Sequence, residues 1–270
     1  MFQSKITFSK KNPKKSLGQN FLTSPPAREA IVRSGSLSSY DTVLEIGPGK
    51  GFLTEGLLAS GVTVIAVEKD SELISFLCEK FASEKASGKF ILEEGDALIY
   101  EPPYTSYKLI ANIPYYITGA ILERFLSHER KPSLMSVLVQ REVAERIVAR
   151  EGKESILSLA VKAYGVPRIA HRVSAGSFFP KPKVDSAVLC IETISSSNFK
   201  DKNHELLYFT LIKLGFAHKR KLVLSNLKER FDEKTLISLF EKLNIDLKER
   251  AENVTLSAWL SLSLAISQSS

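Results

Sequence analysis

Two hydrophobic rhythms run along this chain. Short apolar runs rich in β-branched residues occupy 42–46, 62–67, 90–92, 107–111 and 134–139, and they read as buried strands. Between them, apolar residues recur at helical spacing over about 25–33, 52–59, 71–81, 119–126, 142–149 and 156–163. The first of these helices opens on Ser24-Pro25-Pro26, a serine cap followed by proline in the first turn. Strands that alternate with helices call for a parallel sheet covered on both faces, an α/β fold. Two later runs, 167–173 and 184–194, leave no room for a helix between them and predict a closing hairpin with an antiparallel strand at one edge. The rhythm then changes. Ser195-Ser196-Ser197-Asn198 is linker-like, and everything after it is helical by period, over about 204–217, 219–230, 233–243 and 255–266. The expected layout is an arm over 1–16, an α/β domain over 17–197 and a small all-α domain over 198–270.

Composition narrows the class only a little. Of 270 residues, 44% are hydrophobic and 25% charged, which suits a globular chain with a sizeable core. No apolar run reaches the ~18 residues of a membrane helix, so no membrane partner is expected. The N-terminus lacks a signal-peptide core, and its positive charge is almost all lysine, which fits a transit peptide poorly. Cys78 and Cys190 make neither a disulfide framework nor a metal site, so the expectation is reduced thiols, a cytoplasmic setting and no metal.

Charge changes the picture more. The net charge is +7, which favours polyanion partners. It is focused: residues 213–230 hold six Lys/Arg against one acid, whereas 231–253 hold four against six. The arm carries Lys5, Lys10, Lys11, Lys14 and Lys15 without an acid, as a solvated tail or a phosphate-seeking one.

Candidate chemistry collects at strand ends, where an open α/β sheet binds its ligands. Glu45-x-Gly47-x-Gly49-x-Gly51 follows the first strand, and glycines let backbone turn sharply and approach a ligand closely. It is not the dinucleotide fingerprint, whose third glycine would fall on Phe52, nor a P-loop, which ends in Gly-Lys-Ser/Thr. Glu68 ends the next strand and can accept both hydroxyls of a ribose, or simply face solvent. Asp96 follows the third strand, placed to accept from an adenine amine or to cap a turn. The fourth strand stops at Asn112-Ile113-Pro114-Tyr115. The exocyclic amine of adenine is a poor nucleophile, because its lone pair is delocalised into the ring. Two acceptors, the Asn112 side-chain oxygen and the Pro114 carbonyl, could tilt it toward tetrahedral geometry, while Tyr115 stacks on the base. A strand end with tyrosines packed on a helix is the plainer alternative for this tetrapeptide alone.

The acid and glycine spacing resembles motif I of S-adenosylmethionine-dependent methyltransferases. Asn-Ile-Pro-Tyr resembles the form in rRNA adenine dimethyltransferases, rather than the Asn-Pro-Pro-Tyr usual in DNA adenine and protein glutamine methyltransferases. Over essentially its whole length the chain resembles the small-subunit (16S) rRNA adenine N6-dimethyltransferases of the KsgA type, to which the erythromycin-resistance methylases are related. That resemblance implies a class I S-adenosylmethionine-dependent methyltransferase fold, Rossmann-like, with a mostly parallel seven-stranded sheet and a small all-α C-terminal domain. It implies S-adenosyl-L-methionine as cofactor, contacted by Asn20, Leu22, Gly47, Gly49, Glu68, Asp96 and Asn112, with Gln19-Asn20-Phe21-Leu22 closing over it. Catalysis would rest on Asn112, Pro114 and Tyr115, with Phe178 of Phe178-Phe179-Pro180-Lys181-Pro182 covering the second face of the base.

The run Phe216-Ala217-His218-Lys219-Arg220-Lys221 resembles the family's basic motif, with Lys219 in place of an arginine. Lysine keeps the charge and loses the bidentate fork. Lys219, Arg220 and Lys221 are the RNA contacts this implies, and the implied partner is small-subunit rRNA within an immature ribosomal particle, bound by a monomer. The alternatives are a large-subunit methylase of the drug-resistance type and a mainly non-catalytic ribosome-assembly factor.

Overall fold

The apolar runs become one sheet. The structure is a computed structural model that describes residues 19–102, 106–149 and 152–269; the basic arm over 1–16 lies outside the described residues. In chain order come β1 (Phe21–Leu22), α1 (Pro25–Ser34), β2 (Thr42–Ile46), α2 (Phe52–Ala59), β3 (Thr63–Glu68), α3 (Ser71–Lys80), the short α4 (Ala82–Ala86) and β4 (Phe90–Glu94). Then follow β5 (Lys108–Asn112), α5 (Thr118–Ser127), β6 (Leu134–Gln140), α6 (Arg141–Val148), α7 (Ile156–Lys162), β7 (Val166–Val173), β8 (Phe178–Phe179) and β9 (Ser186–Glu192). The chain ends in α8 (Lys202–Gly215), α9 (Val223–Leu227), α10 (Glu233–Lys242) and α11 (Leu256–Ser269).

The seven-stranded sheet has the order β4-β3-β2-β5-β6-β9-β7. The strands from β4 to β6 pair in parallel, and β9 is antiparallel to both of its neighbours. The closing pair was expected to leave an antiparallel strand at the edge. Instead β9 lies inside and β7 takes the edge. Side chains explain the exchange: β9 is buried at every position except Glu192, as an interior strand must be. β7 carries Pro167, Arg168, His171 and Arg172, which an edge tolerates. Chain order reverses between β2 and β5, so a crevice opens beyond their carboxyl ends. The Gly47 loop follows β2, and Asn112 ends β5.

A second, two-stranded ribbon has no counterpart in the hydrophobic pattern. β1 pairs antiparallel with β8, Phe21 opposite Phe179 and Leu22 opposite Phe178. Thr23 extends it, its N–H and hydroxyl both donating to the Ser177 carbonyl at 2.8 and 3.0 Å.

The C-terminal helices join the core beneath one side of the sheet. One apolar cluster runs from Leu109 and Val137 through Tyr208 and Phe240 to Trp259. Tyr164 links the parts, its ring 5.5 Å from Phe199 and its hydroxyl donating to Glu205. The helix expected over 219–230 shortens to α9, and 219–221 form an exposed turn. Asn226 is the physical reason: its Nδ2 donates to the carbonyls of Gly215 at 2.6 Å and His218 at 3.3 Å. That side chain satisfies acceptors which the end of α8 leaves open, and it folds the chain back on itself.

Gly215, the last residue of α8, lies against Trp259, which is fully buried, and a Cβ there would overlap the indole ring. Alanine gains at most about 1 kcal/mol in helix propensity. Overpacking a rigid contact costs about 1–3 kcal/mol. Sterics therefore win. Gly215→Ala is expected to lower the midpoint of thermal unfolding by about 2–6 °C, and an unchanged or raised midpoint in a calorimetric scan would show the indole free to move.

Candidate active site

A cavity of about 570 Å³ opens at the switch point. That is within the usual range for a small-molecule site. Its floor is the glycine loop. Gly47 and Gly49 have φ of +63° and +60°, which a side chain would strain. At Gly47 an added Cβ would meet no protein atom within 4 Å, so the backbone faces open space there. At Gly49 it would touch the Phe21 ring at 3.0 Å, which lets β1 lie close over the loop.

The acids are fixed before any ligand arrives. Glu68 accepts from the Gly49 N–H at 3.1 Å through Oε2 and from the Asp70 N–H at 2.9 Å through Oε1. Each oxygen keeps a lone pair for a hydroxyl donor. Burial pushes the Glu68 carboxyl up, while those backbone hydrogen bonds pull it down. Asp96 accepts from Lys69 Nζ at 2.8 Å and from the Leu98 N–H at 3.0 Å, and the Lys69 hydrogen bond holds its carboxyl below the usual range. Glu45, which the sequence marked only as the acid before the glycines, is 1% exposed and lines the cavity. It accepts from the Thr54 hydroxyl at 2.7 Å, and burial pushes its carboxyl up to about 8.

Across the cavity, Asn112 is oriented by the strap that carries β1. Its Nδ2 donates to the Asn20 carbonyl at 3.1 Å. With the amine end held, Oδ1 is the end left to accept. The Pro114 carbonyl already receives the Ile117 N–H at 3.2 Å and keeps one lone pair. Tyr115 lines the same cavity, its hydroxyl 2.7 Å from Ser186 Oγ, which fixes the plane of its ring. Burial pushes that phenol up, so the ring is neutral.

The structure places Phe178 and Phe179 differently. Phe178 was expected to face the base. It is 5% exposed and packs into the apolar cluster with Leu22 and Val188. Phe179 lines the cavity instead and is 61% exposed. Successive side chains in a strand point to opposite faces, so only one of the pair can face the cavity. Withdrawing a buried Phe costs about 2 kcal/mol, which leaves Phe179 as the ring available. Tyr116, also exposed at the rim, is a further aromatic there.

Asn20, Leu22, Gly47, Gly49, Glu68, Asp96, Asn112, Pro114 and Tyr115 are thus brought to one cavity. Lys219, Arg220 and Lys221 are not: they stand exposed in the turn after α8, where Lys219 borders a separate cleft between α5, α7 and α8. Among the described residues, no group of three or more His, Cys, Asp or Glu could hold a metal ion, and no helix is long and apolar enough to cross a membrane.

The strand order, the reversed β9 and the glycine loop beside two strand-end acids define a class I methyltransferase. More narrowly, the chain belongs to the ribosomal RNA adenine dimethylase family, whose model matches residues 10–268. It is similar to the ribosomal RNA small subunit methyltransferase A of Dehalococcoides mccartyi, 38% identical over 262 residues, covering 94% of this chain and 89% of that protein. The Clostridium botulinum protein of the same name is 35% identical over 257 residues, covering 92% of each chain. Among solved structures, a dimethyladenosine transferase from Plasmodium falciparum superposes with a TM-score of 0.79 at 27% identity, covering 92% of this chain and 98% of that one. The 23S rRNA methyltransferase ErmE shares the fold, with a TM-score of 0.75 at 24% identity, covering 92% of this chain and 100% of its own.

Proposed function

We propose that this protein dimethylates N6 of two adjacent adenosines near the 3′ end of small-subunit rRNA, with S-adenosyl-L-methionine as methyl donor. The observation that carries this reading is Asn112. Its amide is clamped from behind by the Asn20 carbonyl, and its oxygen shares a cavity with Tyr115 and the Glu68 carboxylate. Family membership supports the reaction class, and the small-subunit relatives weigh against a large-subunit target.

When bound, the cofactor supplies an electrophilic methyl on a sulfonium sulfur. Glu68 would hold its ribose hydroxyls and Asp96 its adenine amine. The Gly47 loop fits such a ligand because its backbone opens onto free space. Asn112 Oδ1 and the Pro114 carbonyl accept from the two N–H bonds of the target amine and aim its lone pair. Tyr115 and Phe179 sandwich the base, which must leave its helical stack to reach them. No strong base is needed, since the methylated ammonium is acidic enough to lose its proton to water. The work is positioning and desolvation.

In this proposal residues 17–197 carry catalysis, and 198–270 dock the RNA through Lys219, Arg220 and Lys221, with the arm over 1–16 adding phosphate contacts. The substrate is an immature ribosomal particle in the cytoplasm and the enzyme acts as a monomer.

Incubation with labelled S-adenosylmethionine and unmethylated small subunits, followed by mapping of the label, tests the reading. Dimethyladenosine at two neighbouring positions is expected, and label confined to large-subunit RNA would overturn it. In the same assay Phe179→Ala is expected to cut turnover about 10-fold or more while leaving S-adenosylhomocysteine affinity unchanged. Equal loss of both would remove Phe179 from the base clamp.

A further inference from the structure

Three lysines line the strand-end cavity, and two of them are neutralised. Lys69 pairs with Asp96 at 2.8 Å, and Lys80 pairs with Glu55 at 2.7 Å. Lys50 has no carboxylate within ion-pair distance among the described residues. Its ammonium instead rests over the Phe21 ring, 5.1 Å from the centroid. A cation left without a counter-ion at a half-closed ligand site is a ready anion acceptor.

The ligand has an anion to offer at that place. Going across the sheet, Asp96 follows β4, Glu68 ends β3, the Gly47–Gly51 loop follows β2 and Asn112 ends β5. Adenine at Asp96 and ribose at Glu68 leave the sulfur on the side of β2 and β5, with its methyl toward Asn112. The third arm on that sulfur is an amino acid, a zwitterion. It must end among the residues that remain, which are the glycine loop and the strap over it. Glu45 and Glu55 also line the cavity but do not compete for Lys50: burial holds the first protonated, and Lys80 pairs with the second at 2.7 Å, so neither offsets a carboxylate placed there. Lys50 attracts one. The Phe21 ring shields one face of the ammonium from water, which strengthens an ion pair formed on the other face.

We infer that Lys50 receives the α-carboxylate of the cofactor's methionine half, so that the cation beside the strap distinguishes the full cofactor from nucleosides lacking that tail. This rests on the methyltransferase reading above and adds a residue to it. The consequence extends to the strap. Once Lys50 engages the carboxylate, Phe21 stays stacked on the ammonium, and β1 is held closed over the ligand.

Calorimetric titration of S-adenosylhomocysteine and of 5′-methylthioadenosine, which lacks the amino-acid tail, separates the possibilities. Lys50→Met is expected to weaken S-adenosylhomocysteine binding about 10-fold and to leave 5′-methylthioadenosine binding within about 2-fold. Lys50→Arg is expected to restore most of the loss. Equal weakening of both ligands would overturn the inference, since Lys50 would then act only by packing on Phe21. So would unchanged S-adenosylhomocysteine binding. A wild-type protein that binds 5′-methylthioadenosine and S-adenosylhomocysteine equally well would overturn the Lys50 assignment alone. One that binds neither would bring down the cofactor reading with it.

Discussion

Asn112→Ala is expected to reduce methyl transfer about 10³-fold, a loss of about 4 kcal/mol of transition-state stabilisation. The adenine amine gains nucleophilic character only as its two N–H bonds are drawn out of the ring plane. In the proposed mechanism Asn112 Oδ1 is one of two acceptors that do this, and the other, the Pro114 carbonyl, already shares itself with the Ile117 N–H. The backbone acceptor cannot compensate alone. S-adenosylhomocysteine affinity is expected to fall by only a few-fold, because in the proposed pose Glu68 and Asp96 would hold the adenosine half from the other side of the cavity. Asn112→Asp separates shape from chemistry. It keeps the volume and an acceptor, but sets a carboxylate oxygen against the Asn20 carbonyl that now receives the amide N–H at 3.1 Å. That repulsion should turn the side chain away and leave turnover nearly as low as in the alanine variant. Single-turnover rates and titrations on both proteins check this, and normal turnover by Asn112→Ala would refute the mechanism. Retained binding of the alanine variant to immature small subunits would show that docking on the particle is separable from catalysis.

Glu45→Gln is expected to stabilise the ligand-free protein increasingly as pH rises. The folded carboxyl titrates at about 8, against 4.5 in its ordinary state, because burial disfavours the charge and Glu68 adds repulsion. Below pH 4.5 both folded and unfolded chains are protonated, and glutamine gains nothing. Between 4.5 and about 8 the unfolded chain has released a proton that the folded one still holds, so wild-type stability falls with rising pH. Above about 8 the native state carries a buried carboxylate, and the full penalty is present. Glutamine keeps an oxygen to accept from Thr54 and carries no charge. The difference in stability between variant and wild type should be near zero at pH 4.5 and reach about 2 kcal/mol or more by pH 9. Denaturant unfolding at several pH values measures it. A gain that does not vary with pH would mean that Glu45 is not held neutral by its surroundings.

Local pattern carried most of the sheet, because buried parallel strands are continuous apolar runs and their helices keep a different period. The ends of β2, β5 and β6 fall within a residue of where that period places them. Spacing between successive strand ends also brought Gly47, Glu68, Asp96 and Asn112 to one edge, since a parallel sheet puts every such end on the same side. Three things were not legible. The place of β9 inside the sheet follows from how completely it is buried, which the alternation of a short segment only hints at. That Phe179 rather than Phe178 lines the cavity depends on a register with Phe21, a partner far away in sequence. The turn at 219–221 depends on Asn226, whose side chain reaches back to close a helix that periodicity alone would have continued. Glu45 and Lys50 were visible only as members of a motif; their burial and pairing belong to the assembled cavity.

The ribbon between β1 and β8 also sets the order in which the molecule can be completed. Phe21 pairs with Phe179, a separation of 179 − 21 = 158 residues. During synthesis the strap must therefore wait, unpaired, until most of the sheet has emerged. The five parallel strands β2 to β6 can assemble before it, and their strand-end acids are then in place. The arrival of β8 then gives the strap its strand partner, with Phe179 opposite Phe21 and Phe178 opposite Leu22. Loop closure over so long a span costs entropy that grows only slowly with length, so the delay is one of timing rather than of stability. A nascent chain has the floor of its cavity well before it can complete the ribbon above it.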